Sequence, residues 1–233
     1  MPVRAFMQQG PSFIAGYDFN VANCHNHFAE PFKDILNGQS SLKTNKTHLV
    51  LSILSNKGVS FTAHKTRNMV IPLKFMNAGC DIILKHAKNP QQICSILDET
   101  KKELGRPIDH LQLNMHGTPA SSYWEEGELD IKTHFPLNCF DSLASDATIS
   151  LLSCERGVDT EIKYNLAQHI AEKTKRKVFA PKAIAFDSDF QVTKSLNSSI
   201  SIQFIGTKRS PFLQNIGKCE GEDYTGIFMP RQN

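Results

Sequence analysis

Two segments of this 233-residue chain end in side chains that can do covalent chemistry. Leu111-Gln-Leu-Asn-Met-His116-Gly117 closes an apolar run with a histidine, and Ile149-Ser-Leu-Leu-Ser-Cys154-Glu-Arg-Gly157 closes another with a cysteine, 38 residues later. A thiolate is an effective nucleophile toward an acyl carbon, and an imidazole within reach can take the thiol proton or deliver one to a departing amine. Taken singly, each segment is weak: a cysteine after an apolar run is commonly an inert small hydrophobe, and a His-Gly pair often ends a strand. Order, spacing and context together single out His116 and Cys154 as a catalytic pair that uses no metal or cofactor.

Other reactive side chains compete less well. Asp187 and Asp189 in Ala185-Phe-Asp-Ser-Asp-Phe190 could line a pocket for a basic side chain, although loop acids that form turns explain them as simply. Arg156, next to Glu155, could instead receive an acidic side chain, so the two pockets stand as alternatives. Cys24-His25-Asn-His27 offers metal ligands, but no second pair at zinc spacing follows, and a polar loop is expected. Four cations between Lys173 and Lys177 complement a helix C-terminus and read as a solvated helix end. Ser153 and Thr160 lack the turn motif that would make either a nucleophile.

Reactive groups need elements to position them. His48-Leu-Val-Leu-Ser-Ile-Leu54 and Cys80-Asp-Ile-Ile-Leu-Lys85 read as buried strands, joined by a partly helical crossover that contains Pro72. A helix follows, with Asn89 as N-cap, Pro90 at its first position, Ile93, Leu97, Thr100 and Leu104 on its inner face and Gly105 past its end. The strand Ile108 to Met115 places Ile108, His110, Gln112 and Asn114 on one face and Leu111, Leu113 and Met115 on the other. A polar stretch with Pro119, Gly127 and Pro136 separates it from a strand over Ala147 to Ser153. Thr160 then caps a helix through Ile162, Leu166 and Ile170 that ends near Lys175, and Lys177 to Ala180 forms the next strand. One more strand is expected at Ser199 to Ile205, before a Gly-rich irregular end. Strands alternating with helices predict a mostly parallel sheet with helices on both faces, and in such a sheet reactive side chains gather at the carboxyl ends of the strands.

Composition sets the outer bounds. Hydrophobic residues make up 40% and charged residues 21%, an ordinary globular balance, and the net charge of +3 is too small to imply a nucleic-acid surface. The six cysteines show no paired spacing and read as reduced thiols. Neither a signal-peptide core nor a membrane-length apolar segment is visible, so a cytoplasmic protein is expected, with delivery elsewhere left to a signal not recognisable here. Residues 1–46 are polar and weakly periodic and read as an N-terminal extension.

An apolar strand ending in His-Gly, followed by one ending in a small residue and Cys, resembles the caspase-like superfamily of cysteine peptidases, which includes metacaspases, gingipain-like and clostripain-like enzymes and self-cleaving toxin domains. Here those motifs are Met115-His116-Gly117 and Leu152-Ser153-Cys154, and the likeness runs from about Leu49 to Lys182. True caspases place the histidine roughly 50 residues upstream and carry Gln-Ala-Cys-[Arg/Gln/Gly]-Gly, from which Leu152-Ser153-Cys154-Glu155-Arg156-Gly157 departs. The resemblance implies a three-layer α/β sandwich over residues 47–233, with a mostly parallel central sheet flanked by helices. It implies a peptidase for protein or peptide substrates, possible cleavage of its own loops, and an oxyanion hole from the backbone amides of Gly117 and Cys154. Glycine after the histidine is expected because the backbone must turn tightly and clear the carbonyl. Two other functions are compatible: a catalytically silent interaction module of the same fold, and a thiol hydrolase for isopeptide or side-chain amide bonds.

Overall fold

The near-continuous apolar runs of the first two expected strands call for a sheet buried on both faces, and the computed structural model forms one. It describes residues 48–55, 71, 74–75, 78, 80–152, 165–186, 188–193, 200–207 and 220–231. The N-terminal extension, Cys24, His25, His27, Glu155, Thr160, Ile162 and most of the first crossover lie outside the described residues. Strands β1 (Leu49–Leu54), β2 (Asp81–His86), β3 (Ile108–Asn114), β7 (Leu143–Leu152), β8 (Lys177–Pro181) and β11 (Thr225–Phe228) form a six-stranded sheet in the order β2-β1-β3-β7-β8-β11. All neighbours are parallel except β11, which runs antiparallel along β8. The chain passes outward from β1 to β2 and returns to the other side of β1 as β3, so strand order reverses between β1 and β3, the place where open α/β sheets open a crevice.

Each strand divides its side chains between two cores. Leu49, Leu51, Ile53, Leu111, Leu113, Ile149, Leu151, Val178 and Ala180 face one of them, together with α1 (Gln92–Leu104) and α2 (Leu166–Thr174). Val50, Ile82, Leu152 and Phe179 face the other, against Ile71, Phe75, Phe190, Ile200, Ile202, Phe204 and Tyr224. Both α1 and α2 cover this face, and the helical residues Ile71 and Phe75 of the first crossover belong to the opposite one. The opposite face takes the antiparallel pair β9 (Phe190–Thr193) and β10 (Ser201–Phe204), along with the helical residues Ile71, Lys74 and Phe75.

Local signals set the helix ends with uneven success. Asn89 does accept the Gln92 N–H, at 3.2 Å, but Pro90 and Gln91 form a turn and regular helix begins only at Gln92. Gly105 closes α1 in the left-handed region, φ 64°, as expected. For α2 the cap is Asn165, whose extended backbone lets Oδ1 accept the Gln168 N–H, so the helix starts later than the expected Thr160 cap. The polar stretch after β3 is not a plain loop. His116–Gly117 (β4), Ser121–Tyr123 (β5) and Glu128–Asp130 (β6) make a small antiparallel sheet, too short for periodicity to announce. In the C-terminal region the sequence located β10 and missed β9 and β11.

One expectation is overturned outright. Cys94 on α1 and Cys139, in the segment between β6 and β7, form a disulfide across 45 residues with their Cα atoms 4.8 Å apart. Neither spacing pattern nor neighbouring sequence marks the pair; folding brings them together when the segment packs on α1. Ser142 Oγ donating to Asp98 at 2.7 Å and Lys101 Nζ donating to the Asp141 carbonyl at 3.0 Å tie the same segment to the same helix. Cys80 is buried and is not part of a disulfide. No helix among the described residues is long and apolar enough to cross a membrane.

Candidate active site

Parallel pairing of β3 with β7 decides what stands at the carboxyl edge of the sheet. The register runs His110 with Thr148, Gln112 with Ser150 and Asn114 with Leu152, and the Met115 N–H continues it by donating to the Leu152 carbonyl at 3.2 Å. His116 follows immediately and is half-buried. Ser55, at the end of β1, joins this edge: its N–H donates to the Asn114 carbonyl at 2.9 Å, and its hydroxyl donates to the Tyr123 carbonyl at 3.2 Å. The ends of β1, β3 and β7 and the second strand of the small sheet, β5, are thus stitched together around the histidine.

Gly117 lies in extended strand, paired with Ser122. Among the described glycines positive φ occurs at Gly105, Gly127 and Gly221 and not at Gly117, so the expected tight turn is absent. Cys154, Arg156 and Asp187 lie outside the described residues. Asp189 is described and fully buried. Its Oδ1 accepts from Thr207 N at 3.0 Å and Thr207 Oγ1 at 2.7 Å, and its Oδ2 from Tyr224 Oη at 2.6 Å and Phe186 N at 3.2 Å. A carboxylate this engaged fastens the chain after β8 to the C-terminal segment. Lys74 Nζ donates to the carbonyls of Ser188 and Phe190 and holds the same turn from the other side.

Beneath the edge runs a set of polar side chains that sequence reasoning placed on one face without assigning them a task. Ser52, His110, Gln112, Thr148 and Ser150 are at most 1% exposed and Asn114 is 2% exposed. His110 Nδ1 lies 2.7 Å from Thr148 Oγ1 and Nε2 lies 2.7 Å from Ser150 Oγ; Ser150 and Gln112 are hydrogen-bonded, and Gln112 contacts Asn114 at 3.0 Å, which contacts Ser52 at 3.4 Å. Burial pushes the His110 pKa down to about 3, so the ring is neutral at neutral pH and one of its nitrogens must accept. Thr148 Oγ1 lies 3.2 Å from the Ile200 carbonyl as well as 2.7 Å from His110 Nδ1. Ser150 Oγ donates to Gln112 Oε1, Gln112 Nε2 donates to Asn114 Oδ1 and Asn114 Nδ2 donates to Ser52 Oγ, so Ser150 is left to accept from His110 Nε2. The chain thus links side chains of β7, β3 and β1 through consecutive hydrogen bonds. Such a network is worth keeping buried because it fixes three strands relative to one another. Polar residues at every second position of both β3 and β7 were the signal that could have found it.

Among the described residues no cluster of His, Cys, Asp or Glu could hold a metal ion. No protein-family model matches the chain, and no curated protein matches it.

Proposed function

We propose that the chain is a cysteine hydrolase of caspase-like type that cleaves peptide bonds, with Cys154 as nucleophile and His116 as its base. The observation that carries the reading is the register of β3 on β7: Asn114 pairs with Leu152, and His116 and Cys154 each follow that pair by two residues. Two residues of chain reach about 7 Å, and neighbouring strands lie about 4.8 Å apart, so imidazole and thiol start from adjacent strand ends. A sheet packed between a helical layer and a second layer built on β9 and β10 supports the three-layer reading of the fold.

In this mechanism His116 takes the proton of Cys154 Sγ, and the thiolate attacks the peptide carbonyl carbon. The amides of Gly117 and Cys154 receive the oxyanion, and the imidazolium returns its proton to the departing amine. Water then hydrolyses the thioester and frees Cys154. The substrate is a protein or peptide, including the chain's own loops. Asp187 and Arg156 stay the alternatives for a charged substrate pocket. Asp189 drops out, because its oxygens are already engaged by Thr207, Tyr224 and Phe186.

Labelling with a thiol-directed electrophile, located by peptide mass mapping, tests the pair. Cys154 reacts selectively, His116→Ala slows that reaction by at least about tenfold, and either His116→Ala or Cys154→Ala abolishes cleavage of a peptide library. Slow, equal labelling of several cysteines and no cleavage would leave a catalytically silent module of the same fold, and turnover confined to isopeptide or side-chain amide substrates would move the chemistry to those bonds.

A further inference from the structure

The small sheet that begins at His116 has two unlike faces. Directly opposed residues of antiparallel strands put their side chains on the same side, so His116, Tyr123 and Glu128 form one row and Gly117, Ser122 and Leu129 the next, on the opposite side. Ser122 and Leu129 are fully buried, and Leu129 and Trp124 belong to the helical core. The His116 row therefore faces away from that core. Tyr123 in it is 38% exposed and Glu128 is exposed. The other exposed large hydrophobics among the described residues, Leu137, Ile227 and Met229, stand elsewhere, before β7 and on or after β11.

The geometry points to Tyr123 as a specificity-determining residue that receives an apolar or aromatic substrate group flanking the scissile bond. The inference rests on the proposed His116–Cys154 site. Opposed residues hold their Cβ atoms about 4.5 to 5.5 Å apart. A carbonyl in attack position lies about 3 to 3.5 Å from the reacting groups. The substrate atoms next to that carbonyl consequently reach the ring of Tyr123 before any other side chain of the row. A tyrosine ring offers a flat apolar face with little conformational freedom to lose, and it sits on paired strands whose position is fixed by the Ser55 hydroxyl on its own carbonyl. Glu128, one strand further, adds negative charge to the same row and disfavours an acidic group there.

Peptide chloromethyl ketones that differ only in the residue next to the reactive carbon, phenylalanine, leucine, lysine or aspartate, read this preference on the full chain. In the labelling step the Sγ–carbon bond forms, chloride leaves and the thiol proton passes to His116. Each rate constant for Cys154 is divided by that variant's own rate with iodoacetamide, so altered thiol reactivity cancels. Wild-type protein should favour the phenylalanine and leucine probes over aspartate by about tenfold, Tyr123→Phe should keep that ratio, and Tyr123→Ala should bring it to within about twofold. An unchanged ranking in Tyr123→Ala, or no ranking in the wild type, overturns the assignment of Tyr123 while leaving the pair intact. If Cys154 reacts with iodoacetamide no faster than buried Cys80, the His116–Cys154 reading falls first and this one with it.

Discussion

Five residues separate His110 from His116, and their surroundings are opposite. His116 stands half-buried past the strand end, whereas His110 is fully buried between Thr148 and Ser150 with the Phe75 ring 5.2 Å away. Desolvation is what keeps His110 neutral. Unfolded, it takes up a proton near pH 6.5; folded, only near pH 3. Between those values the unfolded chain binds more protons, so stability is full above about pH 6.5 and falls with falling pH, by up to about 1.4 kcal/mol per pH unit for this one group. His169 acts in the same direction, its pKa lowered by burial first and then by Lys173. Urea unfolding from about pH 7 to about pH 4.5 should show the decline in the wild type and a shallower one in His110→Gln, compared by slope because the substitution also lowers stability at neutral pH. Parallel curves would remove His110 as the source.

At the scale of elements, the antiparallel edge of the sheet is closely packed. β11 contributes four residues, and Gly226 pairs with Ala180 on β8. A Cβ built on Gly226 would meet the Phe228 ring at 2.6 Å and the Ala180 carbonyl oxygen at 3.0 Å. The ring can swing aside; the carbonyl belongs to a strand already bonded on both sides. Gly226→Ala should therefore cost about 1 to 3 kcal/mol and push β11 off β8, seen as faster amide exchange at Phe228 and Ile227 than in β3. Unchanged exchange and unchanged denaturation midpoint would mean the edge accommodates the methyl. Elsewhere the elements sustain each other: the polar chain from His110 to Ser52 crosses β7, β3 and β1 and sets their relative register below the strand ends that carry the candidate pair.

For the whole molecule, the Cys94–Cys139 bridge is the long-range constraint that composition gave no reason to expect. Closing a loop of 45 residues restricts the unfolded chain and is worth about 2 to 4 kcal/mol. Purified without reductant and denatured, the protein should leave Cys94 and Cys139 unalkylated, and reduction or a Cys94→Ser, Cys139→Ser double variant should lower Tm by roughly 5 to 15 °C. Full alkylation of both residues in protein freshly released from cells would show that the bridge does not form there. Disulfides persist mainly in oxidising compartments, so its presence in cell-derived protein would count against the cytoplasmic placement expected from the sequence.

The sequence alone sufficed wherever the determining physics acts within a few residues. Short apolar strand-like runs marked β1, β2, β7, β8 and β10 and alternation marked β3, and Gly105 bounded α1 at its C-terminus because a capping hydrogen bond spans three or four residues, while the expected Asn89 cap fell short of the helix start at Gln92. The same local view set His116 just beyond a strand end. It could not see what depends on partners far along the chain. Strand order, the small sheet around Tyr123, the Cys94–Cys139 bridge and the engagement of Asp189 by Thr207 and Tyr224 join residues far apart in sequence or too few to show a period. A strand's alternation says which side chains it buries. Only the assembled sheet says which neighbour they are buried against, because that is settled by the summed packing and hydrogen bonding of all the strands at once.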